Sequence, residues 1–117
     1  MLTTAVVALI ALLHVYILVL EMFLWDKPAG LKAFGHTQAA ASASKVLAAN
    51  QGLYNGFLAA GLFWGLYLGD GGIPVIVFFL SCILLAGLYG GFSAKRKILF
   101  IQAVPAAIGL TLVFLQH

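Results

Sequence analysis

Four apolar stretches divide this chain and leave no room for a water-soluble domain. The first, residues 1–25, is interrupted only by Thr3, Thr4, His14 and Glu21, and it exceeds the about 20 residues needed to cross the hydrocarbon core of a bilayer. Three more follow, and the pattern predicts helices over 2–25, 46–68, 73–91 and 98–116. The 117 residues are 64% apolar and 8% charged, whereas a soluble domain carries about 25% charged side chains. A lipid bilayer is therefore the expected solvent and the first expected partner. The 13% aromatic content excludes a disordered chain. Cys82 is the single cysteine, so neither an internal disulfide nor a cysteine-based metal cluster can form. His14, Glu21 and Asn50 offer at most one nitrogen and one carboxylate, short of the usual ligand sets, so no metal site is expected.

The positions of the charges say more than their sum. All six bases fall between the first and second stretches (Lys27, Lys32, Lys45) or between the third and fourth (Lys95, Arg96, Lys97), while the opposite side carries Asp70 and His117. Basic residues in short loops stay in the cytoplasm, which predicts both chain ends on the non-cytoplasmic side. The same placement accounts for the net charge of +3 without nucleic acid, for which the six bases make no footprint. No basic region precedes Leu2, so the first stretch reads as a retained span and not as a cleaved signal peptide. The expected fold class is all-α, a single four-transmembrane-helix bundle over residues 1–117.

The short link Gly69-Asp70-Gly71-Gly72 suits a tight reversal between antiparallel helices, because glycine takes positive φ at no steric cost. The link over residues 26–44 is long for so small a chain. Pro28 and Gly30 are expected to break the first helix, and the Ala- and Ser-rich run after them could extend the second helix back to about residue 37.

Polar groups inside a span are costly and usually face protein or water, which makes them functional candidates. His14 and Glu21 are seven residues apart, within about 20° on a helix and roughly 10 Å along it. The second stretch contributes Asn50, Gln51, Tyr54 and Asn55, and the fourth contributes Gln102. Counted inward from the basic side, Glu21 and Asn50 lie roughly 6 Å deep, and His14 and Asn55 at around 14–16 Å. These residues are expected to line a polar pocket open to the cytoplasm, with His14 and Glu21 in a catalytic role and Asn50, Gln51, Tyr54, Asn55 and Gln102 as ligand-binding groups. The other side of the second stretch is a small-residue stripe, Ala48, Gly52, Gly56 and Ala60, repeated at Gly61 and Gly65. Such stripes admit close helix approach, so this helix is expected to be the most protein-covered one, with the stripe joining copies of the chain in a homo-oligomer.

Two segments, HVYILVLEMFLW over residues 14–25 and NQGLYNGFLA over residues 50–59, resemble those of a group of small bacterial membrane proteins catalogued as domain of unknown function 1304. The likeness extends over nearly the whole chain. It implies a multi-pass protein of the bacterial cytoplasmic membrane, and an "epimerase" label sometimes accompanies such sequences without a mechanism.

Three readings of function follow from the residues. In the first, the pocket binds a small or amphipathic molecule and His14 and Glu21 exchange protons with it, the pair an isomerase or epimerase would need. The second is proton-coupled transport by an oligomer. The third is an accessory subunit in which the polar residues serve only as interhelical glue. No cofactor is named by any motif, and neither a P-loop nor a dinucleotide fingerprint is present.

Overall fold

A computed structural model describes residues 1–117 and shows an all-helical chain. Its α-helices are α1 (Leu2–Met22), α2 (Pro28–Phe34), α3 (Gln38–Tyr67), α4 (Ile73–Ser93) and α5 (Val104–Gln116), with a 3-10 turn at Gly69–Gly72 and a π-helical turn at Leu99–Ala103. Three segments are long and apolar enough to cross a membrane: Leu2–Met22, Gly69–Ser93 and Leu99–Gln116. The 30-residue α3 is about 45 Å long, but Asn50, Gln51 and Asn55 lower its hydropathy. The chain packs as two compact units, one made of residues 1–11 and 60–117 and the other of residues 12–59.

In the first unit, α4 packs against the π-helical turn and α5. Val7, Ile10, Leu62, Ile76, Leu80, Ile83, Ala106 and Val113 are buried in it. In lipid such contacts hold helices together through close packing, because hydrocarbon tails compete with water-driven burial. The approach of α4 to the π-helical turn depends on Gly87, where a Cβ would stand 2.9 Å from Gln102 Cβ and 3.0 Å from Ala103 Cα. The π-helical turn has a local cause. Pro105 cannot donate to residue 101 and its ring crowds that carbonyl, so the helix widens just before it and the Val104 N–H bonds to the Leu99 carbonyl, five residues back. At the α3–α4 reversal only Gly69 takes a positive φ, +66°, after which Pro74 occupies the first turn of α4, where a missing N–H costs nothing.

The second unit comprises the last turns of α1, α2 and most of α3. The first helix ends at Met22, short of the expected residue 25, because residues 23–27 turn back toward α2. Pro28 does not merely break a helix, as expected from the sequence; it starts one. It sits in the first turn of α2, and Gly35, at φ +64°, closes that helix by bonding its N–H to the Leu31 carbonyl at 2.9 Å. The Trp25 ring packs against Phe34 and His36, with centroids 4.7 and 4.3 Å away. Its Nε1–H donates to Ser44 Oγ at 3.0 Å, and the Ser44 hydroxyl donates to the Ala40 carbonyl at 2.7 Å. His36 is half-buried in this cluster, with Nε2 3.1 Å from the Trp25 carbonyl oxygen. Lys45 Nζ meets Asp26 Oδ2 at 3.2 Å, and this hydrogen bond holds the Asp26 carboxyl below its ordinary value.

Candidate functional site

The inward face of α1 is a stripe of residues three or four apart. Thr3, Val7, Ile10 and His14 are buried and Leu18 and Glu21 half-buried along it, and His14 is fully buried. Glu21 occupies the last turn of α1. There the helix dipole opposes a negative charge, so this position does nothing for α1 itself.

What holds the carboxyl is α3. Asn55 Nδ2–H donates to Glu21 Oε1 at 2.6 Å, and the same amide nitrogen lies 3.2 Å from the Gln51 carbonyl oxygen one turn earlier. The close approach of the two helices is set by glycines. A Cβ on Gly52 would stand 2.6 Å from Met22 Cγ, 3.1 Å from Glu21 Cβ and 3.2 Å from the Leu18 carbonyl oxygen, and a Cβ on Gly56 would stand 2.6 Å from Leu18 Cδ1. Part of the small-residue stripe is thus occupied within the chain, by α1. Its continuation at Gly65 packs against Ile76 of α4, where a Cβ would stand 3.2 Å from the Ile76 backbone nitrogen.

The structure does not gather the polar residues of α3 as the sequence reading expected. Asn55 is half-buried and meets Glu21, but Asn50, Gln51 and Tyr54 are exposed, and with Leu53, Phe57 and Trp64 they leave α3 a broad outward face. The reason is angular. On an ideal helix Asn55 lies about 20° from Ala48, at the edge of the small-residue stripe, whereas Asn50 and Tyr54 lie more than about 100° away. Packing the small residues inward carries Asn55 along and turns the others out. Gln102 is half-buried in the π-helical turn of the other unit, and His14 lies two turns from Glu21 on the same face, roughly 10 Å along the axis.

One concave feature was not anticipated. In the first unit a cleft of about 320 Å³ is bordered by Thr3, Thr4, Leu66, Asp70, Ile76 and Gln116, and the Thr3 hydroxyl donates to Gln116 Oε1 there. The position of Thr3 about 20° from His14 on the face of α1 was the available sequence signal.

The chain is all-helical, with three helices long and apolar enough to cross a membrane and an acid on the inner face of the first. By sequence the chain belongs to the family described as "Protein of unknown function (DUF1304)", which it matches over residues 8–114. It is similar to "Uncharacterized protein YpaA" of Lactococcus lactis subsp. lactis (strain IL1403), 30% identical over 111 residues that cover 93% of each chain. No solved structure matches it.

Proposed function

We propose that this protein is a four-span protein of the bacterial cytoplasmic membrane, with α3 as the fourth span, whose Glu21–Asn55 pair binds a small amphipathic molecule from the cytoplasmic side. The observation that carries the reading is the 2.6 Å hydrogen bond from Asn55 to a carboxyl in the last turn of an apolar helix. Glu21 does nothing for its own helix there. An acid at bilayer depth costs about 2.5–3.5 kcal/mol on insertion scales, and an apolar pair at these positions would avoid that cost. The placement of all six bases between the first and second or between the third and fourth apolar stretches supports the orientation, with both chain ends on the outer side.

A carboxyl held this way presents a hydrogen-bond acceptor, or a proton donor when neutral, to a polar head whose apolar tail remains in lipid. Hydroxyl- or amine-bearing amphiphiles fit that description. Glu21 and His14, sharing one face of α1, are the two groups that would pass a proton to and from such a ligand in an isomerase- or epimerase-type step. Binding suits the pair better than transport, because four spans show no inverted repeat of the kind carriers use.

Native mass spectrometry of the full chain released from its own membranes tests the reading. A bound molecule of defined mass is expected with the parent protein and is expected to be lost with Glu21→Gln and weakened with Asn55→Ala. Parent protein free of any adduct, or an adduct that survives both substitutions, would overturn it.

A further inference from the structure

The cleft bordered by Thr3 and Gln116 belongs wholly to the first unit, for every residue that lines it lies within residues 1–11 or 60–117. Its volume of about 320 Å³ is at the small end of the range for ligand pockets, about 300–1,000 Å³. Leu66 and the buried Ile76 give it an apolar wall, and Thr3, Thr4, Asp70 and Gln116 a polar one. Thr3 is only 7% exposed, and its hydroxyl reaches across the unit to donate to Gln116 Oε1 at the end of α5.

We propose that this cleft binds a small organic ammonium ion, with Asp70 as its counter-charge and Thr3 and Gln116 as its hydrogen-bond acceptors. The direction of the Thr3–Gln116 bond decides what the cleft can offer. With its proton given to Gln116, the Thr3 hydroxyl has only lone pairs left for a ligand, and Gln116 Oε1 keeps a second lone pair. The Asp70 carboxylate adds a further acceptor at the rim. An ammonium group is the complement of such a set, with three donors and no acceptor.

The charge has the matching sign. Asp70 is the single acid of this unit, and the unit's bases, Lys95, Arg96 and Lys97, all follow α4 at its far end. The 21 residues of α4 put about 30 Å between them and Asp70. That is several Debye lengths of about 8 Å, so the bases neither neutralise Asp70 nor draw an anion to the cleft. Leu66 and Ile76 call for carbon on the ligand, which favours an organic cation over a bare metal ion. The donor set agrees, because no three His, Cys, Asp or Glu side chains come together here.

The test uses the full chain in nanodiscs of zwitterionic phospholipid and three probes of one carbon skeleton, butylammonium, butanol and butyrate, read by saturation-transfer NMR against empty nanodiscs. Saturable binding is expected for butylammonium, binding at least about 5-fold weaker for butanol, and none for butyrate. Asp70→Asn, at an exposed position, is expected to weaken butylammonium binding about 5-fold, as loss of one ion pair at about 4 Å in water would. That loss is expected to shrink with added salt. Thr3→Val, which keeps the shape of the buried side chain, is expected to weaken binding about 10-fold, the weight of one hydrogen bond to a charged group. No saturable binding of butylammonium, equal binding of butanol or butyrate, or binding unchanged by Asp70→Asn or by Thr3→Val would overturn the inference. So would binding abolished by Glu21→Gln and untouched by Asp70→Asn, which would assign the amine to the Glu21–Asn55 pair.

Discussion

Glu21 and Asn55, 34 residues apart in the chain, are joined by a hydrogen bond of 2.6 Å that ties the end of α1 to the middle of α3. Each is a poor choice for its own helix. Glu21 opposes the α1 dipole, and asparagine is a weak helix former. Their value lies in the contact, and a double-mutant cycle reads it directly. Glu21→Ala and Asn55→Ala are expected to be coupled by about 1–2 kcal/mol in unfolding measured in detergent micelles, the upper range for interhelical hydrogen bonds in membrane proteins. Additive effects would mean that the bond contributes nothing to stability.

The contact exists because glycine lets the helices meet. Gly52→Ala must displace Met22 and crowd the Glu21 Cβ, and Gly52→Leu must drive α1 and α3 apart. Overpacking of this kind costs about 1–3 kcal/mol. Lower unfolding temperatures are expected in the order parent, alanine, leucine, and the leucine variant is expected to lose the Glu21–Asn55 coupling as well. A leucine variant as stable as the parent would show that the helices do not approach at this point.

How much of this was legible in the sequence depended on whether a feature is decided locally. The apolar runs and the reversal at Gly69 were readable because composition and a positive φ at one glycine settle them. The seven-residue α2 was hidden, since it is too short to show periodicity, and Pro28 was read as a breaker when its missing N–H also suits a helix start. The facing of α3 was the harder question. A polar arc and a small-residue stripe competed for the inside, and the stripe won because close backbone approach is what holds helices together in lipid. Asn55 reached Glu21 only because it borders that stripe. The exposure of Asn50, Gln51 and Tyr54 follows from the same choice, which no single-helix pattern could decide.

The ion pair between Asp26 and Lys45 gives the unit a pH dependence of defined sign. Lys45 holds the Asp26 carboxyl below its ordinary value, so the folded chain binds this proton less readily than the unfolded chain. The stabilisation is present in full above the unfolded value of about 3.9 and is lost as pH falls through the lower folded value. Unfolding of the parent and of Asp26→Asn, followed against pH, is expected to show a gap at neutral pH that narrows below about pH 4. A gap independent of pH would assign the effect of the substitution to something other than the charge pair.

The proposed site exists only if α3 crosses the bilayer and carries Asn55 into it beside Glu21. Single cysteines in place of Lys45 and Asp70, in a Cys82→Ser background, can be labelled with a membrane-impermeant maleimide in intact spheroplasts and in inverted vesicles. Position 70 is expected to react only in spheroplasts and position 45 only in inverted vesicles. Reaction of both from the same side would contradict that crossing.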